Sequence, residues 1–234
     1  MKFIIEEEVF KVLPNVCFGV IVAKGIDNHG TNDKILALLD ESIKLTIEKF
    51  SGANIKEHPD ILCYREAFKK LGINPNKFHC SVEALTTRVL KNGQIPAINN
   101  VVNLVNAMSL KYTLPIGAHD LKKAEGNLKV GFTKGGELFV PFGQTEPEYV
   151  EKGELVYADE KMIKTRRWIW RQSETGKITE ESTDIFIPID GFTDCNKDAV
   201  LKARDEIAYY FEKFFGTKTS AFFLDSSNPS IEIG

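Results

Sequence analysis

The sequence predicts an α+β fold in which layered helices surround a mixed β-sheet or β-sandwich. Three observations carry that prediction. Residues 1–125 are helix-rich, with apolar side chains recurring at helical spacing; residues 126–234 are strand-rich, with short apolar runs between glycines; and one amphipathic helix follows those runs instead of alternating with them. Repeated βαβ units would interleave the two patterns. No repeat, low-complexity tract or linker divides the chain, so residues 1–234 are expected to form a single unit.

In chain order, residues 18–23 form an apolar run of strand length that stops near Gly25. Residues 33–50 place Ile35, Leu36, Leu39, Ile43, Ile47 and Phe50 at helical intervals, with Thr31 or Asn32 to cap the start and Gly52 just past the end. A helix over 59–71 has Pro59 at its first position and Gly72 at its C-terminal cap. A third covers 81–90, with Ser81 as cap and Gly93 after it. Gln94, Ile95 and Pro96 interrupt the chain before a helix that carries asparagines. Strands are expected over 128–132, 137–141, 154–157 and 184–188, with turns at Gly135-Gly136, Gly153 and Gly176. The closing helix spans 198–215 and ends at Gly216, and residues 220–224 form a last strand.

Composition excludes several classes of function. The 234 residues are 43% hydrophobic with sixteen Phe, enough for a substantial core, and 27% charged, with a net charge of −3. Indiscriminate nucleic-acid binding needs an excess of Lys and Arg, so DNA is not an expected partner, whereas a local basic patch for RNA remains compatible with this balance. No segment approaches the ~20 apolar residues that span a bilayer, and no membrane partner is expected. The N-terminus turns acidic at Glu6-Glu7-Glu8, without the apolar core of a signal peptide. Cys17, Cys63, Cys80 and Cys195 are scattered, with no Cys-x-x-Cys pair. A cytoplasmic protein with reduced thiols and neither metal nor cofactor is the expectation. Phosphate-loop, nucleophile-elbow and metalloprotease motifs are absent, and His29, His58 and His79 are too dispersed to suggest metal ligands.

Two constellations carry chemistry. Asn99, Asn103, Asn106 and Leu110 fall on one helical face among Val, Leu and Met. A buried amide without partners costs ~1–3 kcal/mol, so the stripe is either hydrogen-bonded inside the fold or faces a polar ligand. Pro115 and Gly117 form a bend that displays His119 close in sequence to this face, and Asp120 either orients the ring or caps the next turn. The second constellation is Lys161, Lys164, Arg166, Arg167, Trp168, Trp170 and Arg171. In an extended chain Arg166, Trp168, Trp170 and Gln172 share one face, a pattern that suits phosphates and stacked bases; the alternative is two core tryptophans rimmed by arginines.

Val102-Asn103-Leu104-Val105-Asn106-Ala107-Met108, followed by Pro115-Ile116-Gly117-Ala118-His119-Asp120, resembles the editing domain of the phenylalanyl-tRNA synthetase beta subunit, formed by that subunit's third and fourth modules. The family pattern is Val-Asp-x-Thr-Asn-x-Val, a spacer, then Pro-x-His-Ala-Phe-Asp, and the resemblance extends from about residue 65 to residue 223. It implies the fold of that domain, as a freestanding version without a synthetase catalytic module, and hydrolysis of mischarged tyrosyl-tRNA. Asn106 takes the place of the motif's asparagine. Gly117 stands where the family has histidine, and His119 where it has phenylalanine. The family's tyrosine-recognising glutamate has no counterpart, its neighbourhood falling near Pro188.

Together these readings predict a trans-editing hydrolase that binds the aminoacylated end of a tRNA. Asn106 and His119 are the catalytic candidates that orient water. Asn99, Asn103 and Ser109 line the pocket, Gly117 lets the substrate approach closely, Arg171 meets phosphate or the terminal ribose, and Trp170 is a further substrate-binding candidate. A non-catalytic RNA or amino-acid binding module is the alternative that Gly117 favours. A small-molecule enzyme on the same scaffold would need a closed pocket too small for a nucleotide.

Overall fold

Two apolar strands, each buried on both faces, organise the molecule. The computed structural model describes all 234 residues. The elements in order are β1 (Lys2–Ile5), α1 (Glu7–Val12), β2 (Val16–Ala23), α2 (Asp33–Lys49), α3 (Pro59–Lys70), α4 (Ser81–Asn92), α5 (Asn100–Tyr112), β3 (His119–Asp120), β4 (Leu128–Phe132), β5 (Glu137–Phe139), β6 (Glu148–Val150), β7 (Leu155–Ala158), β8 (Ile163–Arg166), β9 (Arg171–Gln172), β10 (Ile185–Phe192), α6 (Lys197–Phe215), β11 (Thr219–Leu224) and β12 (Ser230–Glu232). A four-stranded sheet runs β11-β2-β10-β3, and a six-stranded sheet runs β12-β1-β4-β7-β8-β9. A third, two-stranded ribbon pairs β5 with β6. The fold is therefore α+β with helices packed on mixed sheets, as the sequence predicts.

The burial of β2 and β10 follows from their place between layers. Every residue of both strands is buried, and the two pair antiparallel from Ile185↔Ala23 to Phe192↔Val16. Alternate side chains serve different cores. Ile21, Ala23, Ile185, Ile187 and Ile189 face the helical layer of α2, α5 and α6. Phe18, Val20, Val22, Phe186 and Phe192 face the six-stranded sheet, where they meet Phe3, Val130 and Tyr157. Pro188 and Asp190 share the face of Phe186 and Phe192, so β10 directs a carboxyl into the space between the sheets.

Cap chemistry sets the helix boundaries. Asn32 accepts from the Lys34 amide at the start of α2, and Pro59 opens α3 behind a His58 cap. Gly93 ends α4 in the left-handed conformation. Cys80, not Ser81, is the residue before α4, and Ser81 is its first helical residue. The expected helices and most expected strands recur within a few residues. The short elements β1, α1, β3, β6, β8, β9 and β12 are not among them, because runs of two to six residues carry too little periodicity to register. The division at residue 125 does not separate layers: β1 pairs with β4 and β12, and β2 pairs with β10 and β11, so both large sheets draw on both halves.

The stretch 166–172 departs from the extended reading. Arg167 and Trp168 have φ of 46° and 59°, and the chain turns there between β8 and β9. Trp168 is consequently fully buried while Trp170 stays half-buried, so the two rings do not form one face. No helix is long and apolar enough to cross a membrane.

Candidate functional site

The second half of α5, the bend at 115–117, β3, β10 and the β8–β9 turn converge on a cleft of about 230 Å³. Asn106, Gly117, His119, Thr165, Trp170, Gln172, Pro188 and Asp190 are among its lining residues. A larger hollow of about 450 Å³ lies against the six-stranded sheet near Lys129 and Lys161. Those lysines are already paired with Glu6 and Glu125. The smaller cleft is lined by His119, Tyr157 and Asp190, three buried groups with displaced pKa values, which makes it the candidate site.

Asp190 forms the inner wall. It is 2% exposed. Its Oδ1 accepts from the Tyr157 hydroxyl at 2.6 Å and from the Trp168 indole Nε1–H at 2.6 Å, while the Tyr64 hydroxyl donates to its backbone carbonyl at 2.9 Å. Oδ2 has no hydrogen-bond partner within the protein, and the carboxyl makes no ion pair. Burial pushes the pKa up to about 7, against the two donors, which favour the carboxylate. The left-handed backbone at Trp168 is the local strain that brings its indole to this oxygen; such conformations cost ~1–3 kcal/mol and concentrate at functional sites. One sequence feature marks this carboxyl. Asp190 is the one ionisable residue in the otherwise apolar run Ile185-Phe186-Ile187-Pro188-Ile189-Asp190-Gly191-Phe192.

His119 stands across the same cleft. Its ring stacks against Tyr157 with centroids 6.0 Å apart. Burial, reinforced by the nearby Lys164 ammonium, pulls its pKa down to about 4, so the imidazole is neutral at pH 7. Nδ1 is buried with no partner. Lys164 is itself held by Asp159 at 2.8 Å and by the Lys123 carbonyl at 3.1 Å. A proton on Nδ1 would face that cation without an acceptor, so the surroundings assign the proton to Nε2. Nε2 lies 3.5 Å from where a Cβ on Gly117 would stand. A side chain at 117 would occupy the space before this nitrogen; glycine leaves it open to the cleft.

The amide stripe divides. Asn106 lines the cleft, and its side chain makes no hydrogen bond within the protein. Asn99, Asn103 and Ser109 do not line it, which corrects the expectation. Asn99 caps α5 by accepting from the Val102 amide at 3.0 Å, Asn103 accepts from the Ile98 amide at 2.8 Å, and Ser109 donates to the Leu114 carbonyl at 2.6 Å. Each satisfies a backbone group at or just beyond an end of α5. Asp120 caps the turn at Lys122 and accepts from Ser182, pointing away from the imidazole beside it.

The basic stretch is largely neutralised. Arg166 pairs with Glu154 at 2.8 Å and Glu148 at 3.1 Å, Lys164 with Asp159, and Lys161 with Glu125 at 2.7 Å. Arg167 stacks on Phe78 at 3.9 Å and Trp170 at 4.6 Å from the ring centroids. Arg171 has no carboxylate partner and lies 5.9 Å from the Trp170 ring, beside the cleft but outside its lining. A neutral imidazole donor, a free carboxamide and a carboxyl of near-neutral pKa on one small cleft suit the placement of water against a carbonyl carbon.

Comparison with known proteins places this arrangement in context. The model of the B3/4 domain family matches residues 63–222. A phenylalanine–tRNA ligase beta subunit from Fusobacterium nucleatum subsp. nucleatum is 33% identical over 136 residues, covering 58% of this chain and 16% of that protein. The corresponding subunit from Colwellia psychrerythraea is 29% identical over 116 residues, covering 50% of this chain and 14% of its own length. The chain thus spans less than a fifth of these curated relatives. The crystal structure of an N-terminal fragment of the phenylalanyl-tRNA synthetase beta subunit from Pyrococcus horikoshii superposes with a TM-score of 0.52 at 10% identity, covering 96% of this chain and 54% of that one, a likeness of fold.

Proposed function

The chain belongs to the B3/4 domain family, and from that premise we propose that it binds the aminoacylated end of a tRNA and hydrolyses the ester of a mischarged amino acid, acting in trans in the cytoplasm. One observation carries the reading. Asn106 and His119 both line one cleft, and neither side chain has a hydrogen-bond partner within the protein. Both lie within the region that matches the family. The relatives named above are beta subunits of a tRNA ligase, which supports a role tied to aminoacylated tRNA.

In this reading Asn106 and His119 orient the attacking water, Gly117 lets the aminoacyl group approach, and Trp170 and Arg171 meet the terminal nucleotide. The cleft of about 230 Å³ is smaller than the ~300–1,000 Å³ of drug-sized sites, so it suits an aminoacyl moiety with the nucleotide outside. An ester already primed for hydrolysis needs positioning more than a strong nucleophile. The test incubates the protein with a phenylalanine-accepting tRNA charged with tyrosine and with other non-cognate amino acids. Replacing Asn106→Ala and His119→Ala together is expected to slow deacylation by on the order of a hundredfold. Unchanged deacylation in the double variant defeats the site.

Gly117 at the family's histidine position favours a second reading, a module that binds RNA or an amino acid without catalysis. It predicts tRNA binding with no deacylation at all. RNA binding of either kind weakens steeply with salt. Neutralising Arg171, which has no ionic partner, is expected to weaken it more than neutralising Arg166, whose charge already serves Glu148 and Glu154.

A further inference from the structure

We propose that Asp190 is the proton-accepting catalytic residue of this cleft: Oδ2, the carboxyl oxygen left free when Tyr157 and Trp168 clamp Oδ1, takes the proton of the attacking water, while the Nε2–H of His119 donates to the carbonyl oxygen under attack. The inference rests on the deacylase reading and assigns a role that the sequence motif left empty.

Geometry supplies the first argument. Two donors converge on one oxygen of the carboxyl, each at 2.6 Å, while Oδ2 accepts no hydrogen bond from the protein, and Asp190 is among the residues that line the cleft. The third contact, from Tyr64 to the Asp190 carbonyl, pins the backbone. A carboxyl held for structure alone would have both oxygens satisfied. This one is half satisfied, and the residue that carries it lines the cleft.

The surroundings supply the second. The groups that face Asp190 are Tyr157 from β7, Tyr64 from α3, Trp168 from the β8–β9 turn, Cys17 opposite Gly191 on β2, and His119 across the cleft. None is cationic at neutral pH, so nothing compensates the burial of the carboxylate. Its affinity for a proton is raised to the range where a base is partly free and still strong. His119 is displaced the other way, and an imidazole of that acidity is a poor base and a good neutral donor. The two environments separate the roles: the carboxyl moves the proton, and the imidazole steadies the oxyanion.

The step balances without any further reactant. Water oxygen bonds to the ester carbonyl carbon as one of its protons passes to Asp190 Oδ2, leaving a tetrahedral oxyanion held by the His119 Nε2–H. Collapse of that intermediate breaks the bond between the carbonyl carbon and the ribose oxygen, which receives the proton back from Asp190. The amino acid leaves as a carboxylic acid and loses its own proton to solvent.

The test is single-turnover deacylation of a phenylalanine-accepting tRNA charged with tyrosine, followed from about pH 5 to about pH 9 with the intact protein and its variants. In the intact protein the rate constant is expected to rise about tenfold per pH unit on the acid side and to level near neutrality. Asp190→Asn, which still offers an oxygen to both donors, is expected to lower the plateau by ~10²–10⁴ and to abolish the acid limb, with tRNA affinity unchanged. Tyr157→Phe removes one donor to the carboxylate and is expected to shift the limb to higher pH. His119→Gln is expected to lower the rate and leave the limb in place. An Asp190→Asn protein that keeps its rate, or that only weakens tRNA binding, overturns the assignment while leaving the deacylase reading intact, as does a limb unmoved by Tyr157→Phe. Failure of the intact protein to deacylate any charged tRNA overturns both.

Discussion

Asp190 and His119 are displaced in opposite directions by the same desolvation, and the consequence is measurable in stability. The carboxyl keeps its proton in the native state up to about 7, against an ordinary 3.8 in the unfolded chain. Its stabilising contribution is therefore complete below pH ~4 and is lost as pH rises toward 7. The imidazole resists protonation down to about 4, against an ordinary 6.5, so its contribution grows as pH rises from 4 to 6.5. They amount to about 4 kcal/mol for the carboxyl and about 3 kcal/mol for the imidazole across their windows, and so largely cancel. Asp190→Asn unmasks the histidine, and unfolding free energy is expected to climb by ~3 kcal/mol between pH 4 and 6.5. His119→Gln unmasks the carboxyl, and a decline of similar size is expected. Urea titrations at the two ends of the window check both signs; parallel pH profiles in the two variants would refute the opposed titrations.

Within α5 each asparagine serves a different purpose, although the residue type is the same. Asn99→Ala removes the N-terminal cap and is expected to cost ~1 kcal/mol while leaving deacylation within about twofold. Asn106→Ala is expected to do the reverse, because its amide bonds nothing in the protein. Thermal melts paired with deacylation assays separate the two effects. The packing of α6 depends on Gly191. A Cβ there would come within 2.4 Å of Val200 Cγ2 and 2.7 Å of Asn196 Oδ1, so Gly191→Ala forces the start of α6 away from β10. Overpacking of this kind costs ~1–3 kcal/mol, and chemical denaturation measures it. Asn196 also donates to Tyr64, whose hydroxyl holds the Asp190 carbonyl, so the same variant is expected to lower deacylation.

Across the whole molecule, the core between the sheets gathers residues from Phe3 to Ile233. Both chain ends sit in the six-stranded sheet, where β1 lies between β12 and β4. We propose that the 234 residues unfold as one cooperative unit. Fluorescence of Trp168 and Trp170, on the β8–β9 turn, and far-UV circular dichroism, dominated by the helices, are expected to give coincident transitions. Two separated transitions would indicate that the helical and strand-rich halves are independent. A fragment of residues 1–125 would retain β2 without β10 and is expected not to fold.

Local patterning in the chain determined the fold class and most helix and strand positions, while the motif across residues 102–121 carried the resemblance to the family. Period and spacing are short-range properties that survive without coordinates. Tertiary structure alone decided which polar groups remain free. Asn99 and Asn103 share a helical face with Asn106 yet find backbone partners, and the cations of 161–167 find carboxylates or aromatic rings contributed by distant elements. A left-handed turn at Arg167 and Trp168 carried one tryptophan inward to a carboxyl that strand alternation had aimed between two sheets. Whether a polar side chain is spent on the scaffold or left for a ligand depends on how the folded backbone turns beside it, as at the two ends of α5, and on groups that other elements bring up to it, as at Arg166 and Arg167; residue order alone specifies neither, so the tertiary structure set the chemistry of the cleft.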